Sequence, residues 1–414
     1  MMAMSPRDES EYSAPGRVSA PRSPTELIPG ELDCHHVSMP SMSEALRLLA
    51  LGCLLLTVPV MAEHALLVSG NGSDLHAFTL SESGSLVAGA ATPSGQNPSF
   101  CAFSPAGRAV YVIQERGDGA VRAYTRDPAS GALRDLNQVP SGGKGPCHVS
   151  LDPSGRWLFV AHYGSGHVTV FPVHTDGSIG AMSDRHQAGV NAHMAITDPS
   201  GKFVYVPCKG SDAIAQYRFD AENGRLQPLD PPMVATATGA GPRHIVFTAD
   251  SSQAYVVNEL NQTVTCYQVE AGCLQPGASI STLPADYTGA NTTAHIVLSL
   301  DQRTLYASNR GHDSVAIFSR DGAGVLTVLG HVGPSEGLTT PRHFALSPDG
   351  HFLVVAAQDS DELLTYAVTT AGMLSLSSRT PCPGRPCCVV FSPSPWAKLR
   401  RRGRPSRLRN SLRC

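Results

Sequence analysis

Two arginines and a histidine stand at matching places in a phrase that recurs along this 414-residue chain. Six residues before the centre of each copy are Ser99, Cys147, His193, Arg243, Ala294, Arg342 and Cys387. One residue later come Phe100, His148, Met194, His244, His295, His343 and Cys388. A third matching set, further along each copy, is Glu115, Tyr163, Lys209, Glu259, Arg310 and Gln358. The first set is chemically mixed, which a shared structural task does not explain. Guanidinium groups gathered at one opening cost free energy unless they meet an anion or a polar ligand, and their planar forks suit oxygen acceptors. In the third set, Glu259 and Arg310, in the repeat of Arg243 and the one adjoining it, extend this chemistry, whereas ordinary turn polarity accounts for Glu115 and Gln358. The four histidines of the second set share one repeat position. That points to a common structural job, hydrogen bonding to backbone between strands, rather than to a metal site. Because side chains alternate along a strand, the first two sets are expected to point in opposite directions, one to a channel and one into the sheet.

The phrase that positions these residues reads as an apolar strand, then S/D-P-x-G, then a second apolar strand. Its copies are CAFSPAGRAVYVIQ, VSLDPSGRWLFVAH, AITDPSGKFVYVPC, IVFTADSSQAYVVN, IVLSLDQRTLYASN and FALSPDGHFLVVAA, centred on Pro105, Pro153, Pro199, Ala249, Leu300 and Pro348. Each unit of about 45 to 50 residues carries four β-patterned segments, the mark of a propeller blade. No blade covers both its faces alone, so blades must stack around an axis. Gly 39 and Pro 32, against 16% charged residues, fit a turn-rich all-β chain and exclude a coiled coil. The folded part opens at HALLVSG (64–70), which matches the second strand of a unit. A final half-copy, CCVVFSP, supplies the missing first strand. The expected fold is therefore all-β, a seven-bladed β-propeller at residues 63–393, its ring closed by a C-terminal strand completing the first blade.

The ends read differently. Residues 1–41 lack hydrophobic period and read as disordered or as an upstream extension. Residues 42–62 read as a signal peptide, with Arg47 before the apolar run Leu48–Val60 and Val60-Met61-Ala62 as its exit. The expected location is periplasmic or secreted, the alternative being a cytoplasmic protein with a misplaced start. Residues 394–414 read as a basic disordered tail, with eight Lys and Arg and no acidic residue, so the body of a chain with net charge −3 is acidic. Nothing in that body suggests nucleic-acid binding, and no apolar run is long enough to span a bilayer as a helix. Of the scattered cysteines, Cys382 and Cys387 are placed to bridge in an oxidising compartment, and no zinc spacing is present.

GAGPRHIVFTADSSQAYVVNELNQTV (239–264) resembles the characteristic region of the seven-bladed propeller lactonase family, which includes propeller-type 6-phosphogluconolactonases and carboxy-muconate cyclases. LYASNRGHDSVAIF, TPRHFALSPDGHFLVVAAQ and NAHMAITDPSG are similar to it too, and the likeness spans roughly 64–393. It implies pocket residues His193, Arg243, Glu259 and Arg310 and the hydrolysis of a sugar-acid lactone, either 6-phosphogluconolactone or an unphosphorylated aldonolactone. Glu259 or His193 would act as general base, and Arg243 and Arg310 would hold the carbonyl oxygen. Lys209 and Arg342, with Tyr163, would bind the rest of the substrate. The expected partner is a small-molecule lactone, the expected state a monomer, and the chemistry requires no metal and no cofactor. Two other readings use the same pocket or fold: a muconate-type lactonizing cycloisomerase, and a non-catalytic exported binding module.

Overall fold

The computed structural model describes residues 63–393. The readings for 1–41, 42–62 and 394–414 fall on residues outside that span. Within it, 28 strands form seven four-stranded antiparallel sheets. Blade 1 combines β1 (His64–Gly70), β2 (Asp74–Leu80) and β3 (Leu86–Pro93) with β28 (Pro386–Phe391), in the order β28-β1-β2-β3. Blades 2 to 7 follow in chain order: β4–β7 (101–140), β8–β11 (146–187), β12–β15 (196–235), β16–β19 (242–281), β20–β23 (292–332) and β24–β27 (341–381). The seam pairs Leu66 with Phe391, Val68 with Val389 and Ser69 with Cys388. A strand from each end of the described span thus shares one sheet, and the ring has no open edge there.

Burial falls from the second strand of a blade outward. AVYVIQ and WLFVAH are covered along their whole length, and FLVVAA from its second residue on, which explains why they read as continuous apolar runs rather than as alternation. Outer strands such as β3 are almost wholly exposed. The core is divided into seven clusters, each joining two neighbouring blades. Tyr111, Ile113 and Val121 of blade 2, for example, pack on Val149, Leu158 and Phe171 of blade 3.

Two repeated devices explain the phrase. The turn between the first two strands is tied by a side chain. Asp152 accepts from the Trp157 amide at 2.8 Å and from Ser154 N at 3.0 Å, and Asp198 does the same for Phe203 and Ser200. Where Ser or Thr stands in place of that aspartate, a hydroxyl ties the turn, in three copies together with an aspartate two residues on: Thr248 with Asp250 (2.6 Å), Ser299 with Asp301 (2.6 Å) and Ser347 with Asp349 (2.5 Å). The second device is a latch between blades. Tyr111, Tyr205, Tyr255 and Tyr306 each donate their hydroxyl to a glycine carbonyl in the next blade, respectively Gly177, Gly272, Gly324 and Gly372, at 2.7 to 2.9 Å. A side chain on Gly272 would not fit, since a Cβ there lies 2.2 Å from the Phe203 ring and φ is +78° or more in all four glycines.

Tyr205→Phe leaves the Gly272 carbonyl without its donor in a buried interface. It is expected to cost about 1–2 kcal/mol of unfolding free energy, read as a lower urea midpoint with an unchanged slope.

Candidate active site

The residue two places before the first set is left-handed in six of the seven blades: Asn97, Gly145, Asn191, Gly241, Thr340 and Arg385 have φ between +45° and +63°. In blade 5 the requirement for glycine is also steric, because a Cβ on Gly241 would stand 2.6 Å from Leu260 Cγ. Asp212 accepts from the amides of Gly239 (2.7 Å) and Gly241 (2.8 Å) and so fixes the loop ahead of Arg243. This is the physical content of the G-x-G-P-R-H and N-E-L pair: the glycine makes room for the leucine, and the loop aims the arginine.

A β-bulge follows. Pairing runs Pro242–Asn258 and then His244–Val257, so Arg243 is an extra residue in the inner strand. The same one-residue shift occurs at Cys147, at Ala294 and His295, at Arg342 and at Cys387. Bulges break strand alternation, and the expected opposition of the two rings fails for that reason. Both rings reach the central channel. Arg243 and His244 line one cleft together, as do Arg342 and His343.

The second ring fills the channel. Phe100 lies 4.4 Å from the His148 ring and 5.3 Å from that of His343, and His295 stacks on His343 at 3.8 Å between centroids. His148 accepts the Ala195 amide (3.5 Å) and His343 the Val389 amide (3.2 Å), bonds to the neighbouring blade's backbone that agree with the structural reading of this ring. His244 and His295 instead bond to each other, Nδ1 to Nδ1, at 2.8 Å. Burial and the Arg243 charge push His148 and His343 down to about 3, so the plug is neutral at ordinary pH. Among the described residues no group of three or more His, Cys, Asp or Glu side chains is arranged to hold a metal ion.

Above the plug, Glu259 gathers three cations. Its carboxylate lies 2.9 Å from Lys209 Nζ, 3.0 Å from Arg243 Nε and 3.3 Å from Arg310 Nη2. Burial alone would raise this carboxyl. Arg243, Arg310 and Lys209 outweigh it and hold the group below its ordinary 4.5. Arg243, 3% exposed, is pushed down to about 9 by burial first and the Arg310 charge second; it remains a cation at neutral pH. It also donates from Nη1 to the Ala294 carbonyl and to His244 Nε2 (3.2 Å). Arg310 donates to the Thr293 carbonyl at 2.7 Å. Lys209 also lies over the Tyr163 ring at 5.4 Å, and Tyr163 meets His193 edge-on at 5.6 Å. All seven site residues expected from sequence therefore surround one region.

They do not all face the ligand space. The cleft is lined by His193, Arg243 and Arg342 from that group, together with Ser99, Glu115, Cys147, Cys387 and the second-ring Phe100, His244 and His343. Glu259, Arg310 and Lys209 border this lining, and their side chains keep 10%, 14% and 17% exposure against 4% for Arg243. His193 is 7% exposed and held far below the usual histidine range by burial, then by Arg243 and Arg342. Its Nδ1 has no hydrogen-bond partner.

Besides the facing of the two rings, three expectations need correction. Glu115 is not turn polarity: it lines the cleft and accepts a short hydrogen bond from Ser99 Oγ. Gln358 is buried and donates to Asn71 Oδ1 (2.9 Å) and to Cys387 Sγ (3.1 Å). The available signal was the repeat itself, since Glu115 occupies in blade 2 the place Glu259 holds in blade 5. Cys382 and Cys387 are both free thiols. Cys387 turns to Asn71 and the cleft, whereas Cys382 packs in the core between blades 7 and 1.

A family model described as Lactonase, 7-bladed beta-propeller matches residues 64–391. The chain belongs to the seven-bladed β-propeller lactonase family. It is 33% identical to the 6-phosphogluconolactonase of Bacillus subtilis over 310 residues, 71% of this chain and 87% of that protein. The 6-phosphogluconolactonase of Yersinia pseudotuberculosis serotype O:3 is 31% identical over 331 residues, 78% of this chain and 95% of its own. Among solved structures, the periplasmic gluconolactonase of Pseudomonas aeruginosa aligns with a TM-score of 0.75 and 32% identity, over 80% of this chain and 99% of that one. For a lactonase, the cleft offers the required elements: fixed cations for a carbonyl oxygen, a neutral imidazole and a carboxylate.

Glu259→Gln leaves two buried guanidinium groups without their counter-charge and is expected to cost about 3 kcal/mol of stability. The pH dependence carries the sign. A carboxyl held below its unfolded value stabilises fully above that value and loses this contribution as pH falls through the lowered folded value. Thermal melts of the wild type should therefore drop on acidification below pH about 4.5 more steeply than those of the variant.

Proposed function

We propose that this lactonase opens the ring of a sugar-acid lactone by adding water, with Arg243 stabilising the oxyanion. The observation that supports it most is the setting of Arg243. It is cationic, almost fully buried, braced by Glu259, His244 and the Ala294 carbonyl, and still part of the cleft lining. A donor fixed in advance needs no reorganisation when charge develops on the carbonyl oxygen, and in a dry site it acts far more strongly than in water. Glu259 holds that guanidinium in place, and Lys209 and Arg310 are the other cations paired with the same carboxylate.

Arg342 has the complementary role. It lines the cleft and has no hydrogen bond or ion pair among the described residues, so its fork is available to a substrate carboxylate, phosphate or hydroxyl. The preceding Thr340 is left-handed at φ +45°, an uncommon state for a β-branched residue. It is held there by Asp313 on its amide (2.9 Å) and Asp359 on its hydroxyl (2.6 Å). His193, a neutral imidazole in the cleft lining, supplies a hydrogen bond to the lactone ring or a hydroxyl group. The pocket is complete within one ring, in keeping with a monomer. Export to the periplasm or medium is part of this reading, supported by the apolar run Leu48–Val60 and by the periplasmic relative in Pseudomonas.

The test is acid release above the uncatalysed rate from gluconolactone and from its 6-phosphate, by protein lacking residues 1–62. Arg243→Ala is expected to lower kcat by about 100- to 1000-fold with the ring still folded by circular dichroism. Wild-type-like rates in that variant, or no turnover of any lactone by the wild type, would overturn the reading.

A further inference from the structure

We propose that Glu115, and not Glu259, is the general base that activates water in this cleft. The inference rests on the lactone-hydrolysis reading above and deepens it by assigning the proton acceptor.

Among the described residues, Glu115 is the one carboxylate that lines the cleft. It has no ion pair with Lys, Arg or His, and its side chain is engaged through the Ser99 hydroxyl, which orients one of its two oxygens. Glu259 differs on each count. It stands outside the lining, and its oxygens are committed to Lys209, Arg243 and Arg310 within 3.3 Å. A carboxylate that neutralises three cations gives up their attraction when it takes a proton, which makes it a poor acceptor. His193 lines the cleft too, yet its cationic form would stand beside Arg243 and Arg342 in a buried site.

Glu115 also has suitable opposites. The cleft is contributed by Ser99 and Glu115 of blade 2 on one side and by Arg243 of blade 5 and Arg342 of blade 7 on others. Acid and guanidinium groups share the space without pairing, so a molecule between them meets an acceptor on one side and donors on another. Water donates a proton to Glu115 as its oxygen bonds to the lactone carbonyl carbon. The carbonyl electron pair moves to the oxygen facing Arg243. Collapse of that adduct breaks the bond between the carbonyl carbon and the ring oxygen, and Glu115 returns the proton to the departing alkoxide. The product is the open hydroxy acid, whose carboxyl then ionises and releases the acid that the assay follows.

Charged and titratable groups sharing the cleft with Glu115 are Arg243, Arg342, His193, the second-ring histidines His244 and His343, and the thiols Cys147 and Cys387. Burial holds the two thiols above their ordinary range and the three histidines below theirs.

The deciding experiment compares wild type, Glu115→Gln, Glu115→Asp and Glu259→Gln over pH 4 to 9 on whichever lactone the wild type opens fastest. Gln at 115 keeps an oxygen for Ser99 and removes the basic group. Its expected kcat is about 100- to 1000-fold lower, with KM within about threefold and the acid limb gone. Asp is expected to retain the limb at reduced rate. In Glu259→Gln the limb should persist while KM and thermal stability change. Retention of wild-type kcat or of the acid limb in Glu115→Gln, or loss of the limb in Glu259→Gln alone, would overturn the assignment even with lactone turnover established. A wild type inactive on every lactone would be the separate failure of the functional reading.

Discussion

Glu259 sits at the centre of three cations drawn from three blades, and the geometry of the channel mouth depends on that charge balance. Lys209 comes from blade 4, Arg243 shares blade 5 with Glu259, and Arg310 comes from blade 6. Without the carboxylate, two guanidinium groups and an ammonium would face one another in a region where water cannot screen them. With it, Arg243 is held by a charge on one edge and by a backbone carbonyl and an imidazole on another. The cluster resembles a buried ion pair whose merit lies in fixing geometry rather than in adding net stability.

That cluster is only possible because the blades are locked to each other. The tyrosine latches and the seven inter-blade cores leave little freedom for one sheet to slide on the next, and the β28–β1 seam removes the place where a ring would open. Site residues contributed one per blade can then be positioned to within a hydrogen-bond length. Neutral histidines from four blades, stacked with Phe100, fill the channel beneath. The ligand space is consequently a polar cleft rather than a through-pore.

Much of this was legible in the repeat. Strand order, blade number and the closing half-copy all followed from the spacing of one phrase, because each unit must bury the same faces in the same way. The matching positions also brought His193, Arg243, Glu259, Arg310, Lys209, Arg342 and Tyr163 to one region, since equivalent places in a ring lie around one axis. Two inferences failed for local reasons. Alternation separated Arg243 from His244, and the bulge that reunites them is a change of one residue in pairing that leaves no compositional mark. Glu115 was dismissed although it is the repeat equivalent of Glu259, because a lone acidic residue near a turn carries no information about what faces it.

The sequence by itself determined the ring, its seam and the set of residues near its mouth, because periodic burial is written in the order of apolar and turn-forming residues. Only the tertiary structure decided which of those residues line the cleft and which are committed to ion pairs beside it. Facing is set by bulges, left-handed turns and ion pairs between blades. These depend on distances between residues far apart in the chain, as between Glu115 and Arg342, and no local pattern encodes such distances.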